Sequence, residues 1–533
     1  MPFIALGVAL IIVDSTIVNV AIPSIIRDIG ITTTDAEWVN SVYALVFASL
    51  VLLTGRLGDL YGRKRLFLIG TLTFVLASLA AATAESAGWL IAARVVQGVG
   101  GAMVLPASLS TVNAIYRGRD RAVAFGIWGA TIGGTAAVGP LLGGWLTESF
   151  SWRWAFLINV PIGAVLVFGL LKFVPETRDE SAKRGLDWLG AVLSALGLGA
   201  LVFALIEGQN YGWWVPTESF QVFGWQWSFA SVSPSAVAFM ISVLALLAFL
   251  WHQKSAAAAG RPTLLDLKLF KIRSFFAGNV AVLIINLGEF GLLFALPLYL
   301  QSVTGLTALG TGAVLFALAA GAFLAGPIAG QIATRVGSVL VVRVGLVLEM
   351  VGIVGIAMVV SPETGGWGFV PWLFVYGLGV GFATAQITNV ILIDIPVSES
   401  GQGSAVQSTA RQIGAALGTA VLGAVLVSTL RNQTSTNLTT GGLGSQEAEQ
   451  IAREITAQPS QAIPALAAQP GGIDALGAAA DAFATATSFV GFTAAVFLFA
   501  GFLATFVLPK RANRVNPDKP AYLTRRDFIC AAF

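Results

Sequence analysis

Charge, cysteine and histidine are all scarce in this chain, and each shortage closes a class of function. Only 11% of the 533 residues are charged, against about 25% in an ordinary soluble domain. The net charge of +3 is too small to hold nucleic acid. One cysteine, Cys530, and one histidine, His252, leave no disulfide framework and no Cys/His metal cluster. No phosphate-binding Gly-Lys-Ser/Thr loop occurs, and no stretch outside the apolar runs is large enough to host enzyme chemistry. What the chain has instead is apolar length: 56% of its residues are hydrophobic, and 60 glycines are spread through the apolar runs. Helices in lipid pack through small residues, so this combination reads as an all-α membrane protein. The first run carries Asp14 and has neither a basic leader nor a small-residue cleavage site. It is therefore expected to be a retained span rather than a signal peptide.

At about 20 apolar residues per crossing, the runs lie near 3–26, 38–56, 66–84, 87–115, 122–146, 153–174, 186–206, 233–251, 274–300, 308–334, 340–360, 367–393, 401–430 and 482–508. They predict fourteen helices. With the N-terminus inside, twenty-four of the 30 basic residues fall on one side of the membrane. The other side holds four, Arg27, Arg153, Arg431 and Arg453, while Arg94 and Arg411 lie within spans. Positive charge is retained in the cytoplasm, which places both termini there and requires an even number of spans. The outer segment 431–481, rich in Gln, Ala, Thr, Gly and Pro, is read as a mobile loop with short amphipathic pieces. The other outer loop, "QNYGWWVPTESFQVFGWQWSF", has no Lys or Arg. Its Trp213, Trp214, Trp225 and Trp227 are expected to anchor at lipid headgroups rather than stack on a ligand.

Between the second and third spans lies "GRLGDLYGRKRLF", residues 55–67. Gly55 and Gly58 allow close packing, Gly62 allows a tight turn, and Arg63, Lys64 and Arg65 hold the loop inside. Asp59 stands near a helix C-terminus, where the dipole opposes a carboxylate, so it needs a cation or another helix's N-terminus. The stretch resembles motif A of the major facilitator superfamily at Gly55, Leu57, Asp59, Gly62, Arg63 and Lys64, with Leu60 where the family often has Arg. "GQIATRVGS", 330–338, looks like a degraded second copy, with Thr334 in the place of Asp59. The likeness extends over most of the chain. "DSTIVNVAIP" resembles the first-span motif of the fourteen-span drug:proton antiporters, "RVVQGVGGA" is similar to motif B, and "GGTAAVGPLLGG" is similar to the antiporter motif C. "GQGSAVQSTARQIGAALGTAVLG", 401–423, resembles another stretch of that branch.

The resemblance implies a major facilitator fold. Residues 1–178 would form one six-helix bundle, 179–260 two linker spans, 261–510 the second bundle with the 431–481 loop, and 511–533 a cytoplasmic tail. The substrate site would lie between the halves near the midplane.

Asp14 has only Leu10, Ile11, Ile17, Val18 and Ala21 on its helical face, so its partner must come from another helix, from water or from a proton. Buried acids in spans are expensive and usually functional; the alternative is a permanently neutral acid making one interhelical hydrogen bond. Glu289 stands eight residues before Pro297, and Asp14 nine before Pro23, in the first helix of each half. Both are therefore expected to face a central cavity and to carry protons or meet a cationic substrate, unless Glu289 is a packing residue bonded to Asn286. Arg94 shares a face with Gln97, Gly98 and Gly101. By resemblance to motif B it would face the cavity and help release the proton from Asp14. Arg411, near Gln407 and Gln412, is a second inner cation.

In the fifth helix, Gly129, Gly133, Gly139, Gly143 and Gly144 make a smooth face and Pro140 a kink. The family associates that pattern with export, through a surface sealing one half against the other; ordinary helix packing is the alternative. Asp59 is placed near the N-terminus of the helix starting around Gly401, with Ser398 and Glu399 as capping residues and Arg63 or Arg117 closing an inner latch.

These readings converge on a transporter of the plasma (bacterial inner) membrane that uses the proton-motive force and no cofactor. It is expected to act as a monomer and to export amphipathic, cationic small molecules in exchange for protons. Tyr43, Phe290, Phe294 and Trp38 are candidates for the pocket wall, beside the lipid-facing packing role of most aromatics. Uptake by symport, or carriage of a lipid or endogenous metabolite, is the competing transport function; a membrane enzyme or receptor is the competing class.

Overall fold

The computed structural model describes every residue except 32, 180–184, 218–219, 223–224, 228–230, 458–471 and 510–533. The expected tail 511–533 and Cys530 lie outside the described residues, as does the side chain of Trp225. The first half comprises α1 (Pro2–Ile29), α2 (Thr33–Tyr61), α3 (Arg63–Ala82), α4 (Ala87–Ile115), α5 (Gly118–Ser149), α6 (Trp154–Leu157) and α7 (Asn159–Phe173). Two linker helices follow, α8 (Trp188–Glu207) and α9 (Pro234–Ala258), joined through a two-residue antiparallel ribbon, Gln221–Val222 with Trp225–Gln226. The second half comprises α10 (Arg273–Ser302), α11 (Ala308–Val336), α12 (Ser338–Val359), α13 (Val370–Leu392), α14 (Ser400–Thr440), α15 (Ser445–Ala457) and α16 (Gly472–Ala504).

The ends of these helices follow from local chemistry. Pro2 opens α1, where a missing N–H costs nothing, and Gly30 closes it at φ 64, a left-handed angle that favours glycine. Ser86, Asp187, Ser233 and Thr307 each cap a following helix through a side-chain oxygen. Among the described residues, twelve helical spans are long and apolar enough to cross a membrane, with α6 and α7 forming one of them. Two bent helices make fourteen: α1 turns by 43° between Val18 and Val20, and α5 by 41° between Ala136 and Val138. The bends lie within one turn before Pro23 and Pro140, whose missing N–H groups release a carbonyl there.

The halves meet along two seams. On one, α5 lies against α11 and α13; on the other, α2 and α4 lie against α14. The approach is close: a Cβ on Gly126 would sit 2.5 Å from the Gly326 carbonyl oxygen, and one on Gly55 would sit 2.6 Å from that of Gly401. The linker helix α8 packs on α2 and touches α14, while α9 packs on α8 from outside.

The outer segment holds a short amphipathic helix, as expected within 431–481, but it packs into a hairpin where a loop was expected. Helix α14 runs on to Thr440, and α15 folds back on it. Leu430, Thr434 and Leu438 make a buried stripe against Ala448, Ala452 and Ile455, and Arg431 Nε donates to Glu449 Oε1 at 2.7 Å. A four-residue apolar spacing hidden in a polar composition makes this a helical hairpin; only 458–471 lie outside the described residues. The expected headgroup belt is exposed at Trp214, whereas Trp227 donates through Nε1 to the Val232 carbonyl at 2.8 Å and meets the Phe220 ring edge-on.

Candidate transport site

Asp14 lies on α1 with only apolar residues on its own helical face, and two other helices, α4 and α7, supply its donors. Arg94 Nη1 on α4 donates to Oδ2 at 2.7 Å. Oδ1 accepts from Gln97 Nε2 at 3.1 Å and from Asn159 Nδ2 at 2.7 Å. Arg94 is held in turn by the Val39 carbonyl at 3.0 Å and Gln97 Oε1 at 3.0 Å, and it lies 4.3 Å over the Tyr43 ring. Gln97 and Asn159 both donate to Ser78 Oγ, at 2.8 and 3.1 Å. Asp14 and Arg94 are fully buried, and every donor around the acid addresses a carboxylate. The sequence shows Arg94 and Gln97 as neighbours on one helix face; it misses Asn159 and Ser78. Asn159 comes from the break between α6 and α7, and its one signal was an amide inside an apolar run.

The second half is built differently. Glu289 on α10 is buried and, among the described residues, its Oε1 has no hydrogen-bond partner. Asn286 does not serve it, contrary to the packing alternative, because its Nδ2 donates to the Val282 carbonyl at 2.8 Å. A second acid, Glu349 on α12, is fully buried, and among the described residues neither of its oxygens has a hydrogen-bond partner. Arg411 interacts electrostatically with both glutamates, yet among the described residues no ion pair within 4.0 Å joins it to either. Gln407 turns away to Thr388 Oγ1 at 2.7 Å, while Gln412 faces the cavity. Glu349 is a residue the sequence reading missed; the signal was a lone carboxyl in "LVLEMVG".

Between the halves lies a cavity of about 530 Å³, lined by Ile11, Ser15, Ser41, Tyr43, Phe290 and Thr419 among others. Arg94 is its one charged lining residue among those described. Asp14 and Glu289, expected to face this space, are not on its wall: Asp14 lies behind Arg94, and Glu289 precedes the lining residue Phe290. Arg411 is also off the wall, and Trp38 packs on Phe203 and Phe220 instead of lining it.

Below the cavity the inner ends are tied together. The fully buried Asp59 accepts from the backbone N–H of Gly401 at 2.8 Å and of Gln402 at 3.0 Å, so α2 caps α14 across the interface. Arg63 Nη2 bonds Asp59 Oδ1 at 2.6 Å and the Val397 carbonyl at 2.6 Å. Of the two cations named for this place, Arg63 occupies it. Glu399 stands at the N-cap of α14 without a side-chain cap bond, and the capping expected of Ser398 and Glu399 comes from Asp59. Gly62 turns the chain at φ 114, and Glu176 accepts from the N–H groups of Lys64 and Arg65 at 3.0 and 3.1 Å. Lys64 Nζ reaches the Leu171 carbonyl at 3.0 Å, so it ties the loop to α7 and does not enter the latch. In the stretch expected to be a second copy, Thr334 donates to the Gln331 carbonyl of its own helix.

The glycine face of α5 serves two neighbours. A Cβ on Gly129 would meet Ala385 Cα at 2.7 Å, and one on Gly133 would meet Val380 Cγ1 at 3.0 Å, both in the other half. Gly139 and Gly143 face Thr16 and Ile17 of α1 in the same half, and Gly144 is buried beside them. The single sealing surface expected of this motif is therefore divided at the Pro140 bend.

Two six-helix halves around a central cavity, with a latch at one end, define a membrane carrier. The family model of the Major Facilitator Superfamily matches residues 4–188 and 187–419, and the chain belongs to that family. It is 32% identical to the multidrug resistance protein Stp of Mycobacterium tuberculosis, over 80% of this chain and 75% of the relative. It is 30% identical to the tetracenomycin C resistance and export protein of Streptomyces glaucescens, over 80% and 75%. With the methyl viologen resistance protein SmvA of Salmonella typhimurium it shares 32%, over 78% and 79%. The crystal structure of the human organic anion transporter MFSD10 (TETRAN) covers 93% of this chain and 98% of its own at a TM-score of 0.53 and 14% identity, a likeness of fold. The chain is a multi-pass efflux transporter of the bacterial inner-membrane type.

Proposed function

We propose that this transporter is an antiporter, exchanging protons for amphipathic organic cations and working as a monomer on the proton-motive force without a cofactor. The observation that carries the reading is the buried Asp14–Arg94 pair, with Arg94 on the cavity wall, Asp14 behind it, and further contacts from Val39 of α2 and Asn159 of α7. A proton on Asp14 cancels the charge that holds Arg94, freeing a guanidinium that faces the cavity. A substrate cation in the cavity and a proton on Asp14 then favour different positions of the helices around them, which is all that coupling requires. Each proton crossing 100 mV supplies about 2.3 kcal/mol. Glu289 and Arg411 form the second charged station. The motif A group of Gly55, Asp59, Gly62 and Arg63 holds the inner side shut, and the bent, glycine-faced α5 is the surface on which the halves rock.

The aromatic and aliphatic wall at Tyr43, Phe47, Phe290 and Phe294 suits flat apolar compounds. The relatives named for methyl viologen, tetracenomycin C and several drugs support this range. The test is reconstitution in vesicles with an imposed proton gradient and ethidium as the probe. Ethidium is expected to move against the direction of proton flow, with Asp14→Asn abolishing the response to the gradient. Movement with the protons, or an unchanged response in Asp14→Asn, overturns the reading.

A further inference from the structure

Helix α8 belongs to neither six-helix half, yet it closes one side of the central cavity. It lies in the seam between α2 and α14, where a Cβ on Gly199 would approach Ser49 Oγ to 2.5 Å. Val202, Leu205, Ile206, Gln209 and Asn210 all line the cavity. Gln209 Nε2 fastens this wall to α14 by donating to the carbonyls of Thr419 at 3.2 Å and Ala420 at 2.9 Å. The linker is therefore part of the cavity, and the chemistry it places behind that wall is anionic.

That chemistry is Glu207, the last residue of α8 and 1% exposed. Its Oε2 accepts from Asn210 Nδ2 at 3.1 Å, and it also interacts with Ser41. Both of those partners stand on the cavity wall. Oε1 has no partner, and no Lys, Arg or His pairs with Glu207 among the described residues. The fold does not supply the missing positive charge: a helix C-terminus carries the wrong sign to stabilise a carboxylate. Within the cavity, the one charged lining residue is Arg94, already paired with Asp14. A cationic guest would meet no free negative charge on the wall itself.

We propose that Glu207 is the group by which the cavity recognises an organic cation, so that the linker helix α8 supplies a selectivity element that the two repeated halves lack. A bound ammonium or aromatic iminium lies against Ser41 and Asn210, and Glu207 Oε1 supplies its counter-charge. Uncharged compounds of the same shape use the apolar wall and do not need it. This rests on the cavity being the site for organic cations; it does not depend on which acid couples protons.

The test measures binding, with the full chain purified in detergent and two flat tricyclic probes: ethidium, a cation, and phenanthridine, its uncharged parent at neutral pH. Glu207→Gln keeps the shape and removes the charge. It is expected to weaken ethidium about tenfold, the order of one lost charge-assisted contact, and to leave phenanthridine unchanged. Adding Asn210→Asp, which moves a carboxylate onto the wall, is expected to restore ethidium binding in the double variant, and it also reports on a Glu207→Gln protein that folds poorly. Unchanged ethidium affinity in Glu207→Gln, equal loss for both probes, or no recovery in the double variant overturns the proposal. A failure of proton coupling in vesicles with Glu207-dependent ethidium binding intact would remove the antiport reading alone.

Discussion

Both halves bury acids within their helices, yet they do so in opposite ways. In the first, Asp14 receives three side-chain donors, one of them charged, from α4 and α7. In the second, Glu289 and Glu349 share one electrostatic cation, Arg411, and among the described residues neither oxygen of Glu349 has a hydrogen-bond partner. A buried charge is tolerable when paired and hydrogen-bonded, and expensive when it is not. The comparison teaches that near-matching positions of Asp14 and Glu289 before a proline in the first helix of each half do not make equivalent sites. What distinguishes them is the set of donors that other helices present.

The largest effect should come from breaking the saturated site. Asp14→Leu leaves Arg94 buried and unpaired, and should destabilise the protein by about 3–5 kcal/mol, read as a fall in detergent melting temperature. The double variant Asp14→Leu/Arg94→Met should regain most of that stability and none of the transport. At the other site, Glu349→Gln removes an acid without partners and should leave stability unchanged or raise it. A loss as large as that of Asp14→Leu would show the two sites to be alike. Glu289→Gln should blunt proton-driven export of several cations in vesicles; unchanged coupling would remove Glu289 from the mechanism.

Smaller effects test the frame around both sites. Asp59→Asn weakens the capping of α14, so a cysteine placed at Ala405, in a background with Cys530→Ser, should react faster with a maleimide from the cytoplasmic side. Equal rates would refute the latch. The smallest effect concerns Asp187, outside the spans. Burial opposes its ionisation, but the Gly190 N–H, the Gln253 amide and His252 more than offset that and hold its carboxyl below the usual carboxylate range. An acid lowered in this way contributes stability above its unfolded titration range, and the contribution is lost as pH falls through the folded value. Asp187→Asn should therefore lower the melting temperature slightly at neutral pH and flatten the acid limb of the profile, the two proteins converging as pH falls.

Much of this was legible because it is one-dimensional. Apolar run length gives the spans, the one-sided distribution of Arg and Lys gives their direction, and Pro140 marks where α5 bends. Asp59 could be matched to the helix at Gly401 because a misplaced carboxylate and a free helix N-terminus answer each other. The helical hairpin at 430–457 was missed because its buried positions are a minority in a polar stretch, and composition averages over that spacing. Asn159, Ser78 and Glu349 were missed because each looks like a single polar interruption until its neighbours on other helices are known.

By itself, then, the sequence determined that this protein crosses a membrane, how often, which way round, and which residues could not rest in lipid without a reason. Tertiary structure alone decided which of those residues meet. Asp14, Ser78, Arg94 and Asn159 come from four helices, and Glu207 from a linker outside both repeats. The physical reason is range: transfer into lipid is a property of each segment, summed along the chain, whereas pairing a buried charge needs donors within about 3 Å, and only packing brings distant segments that close.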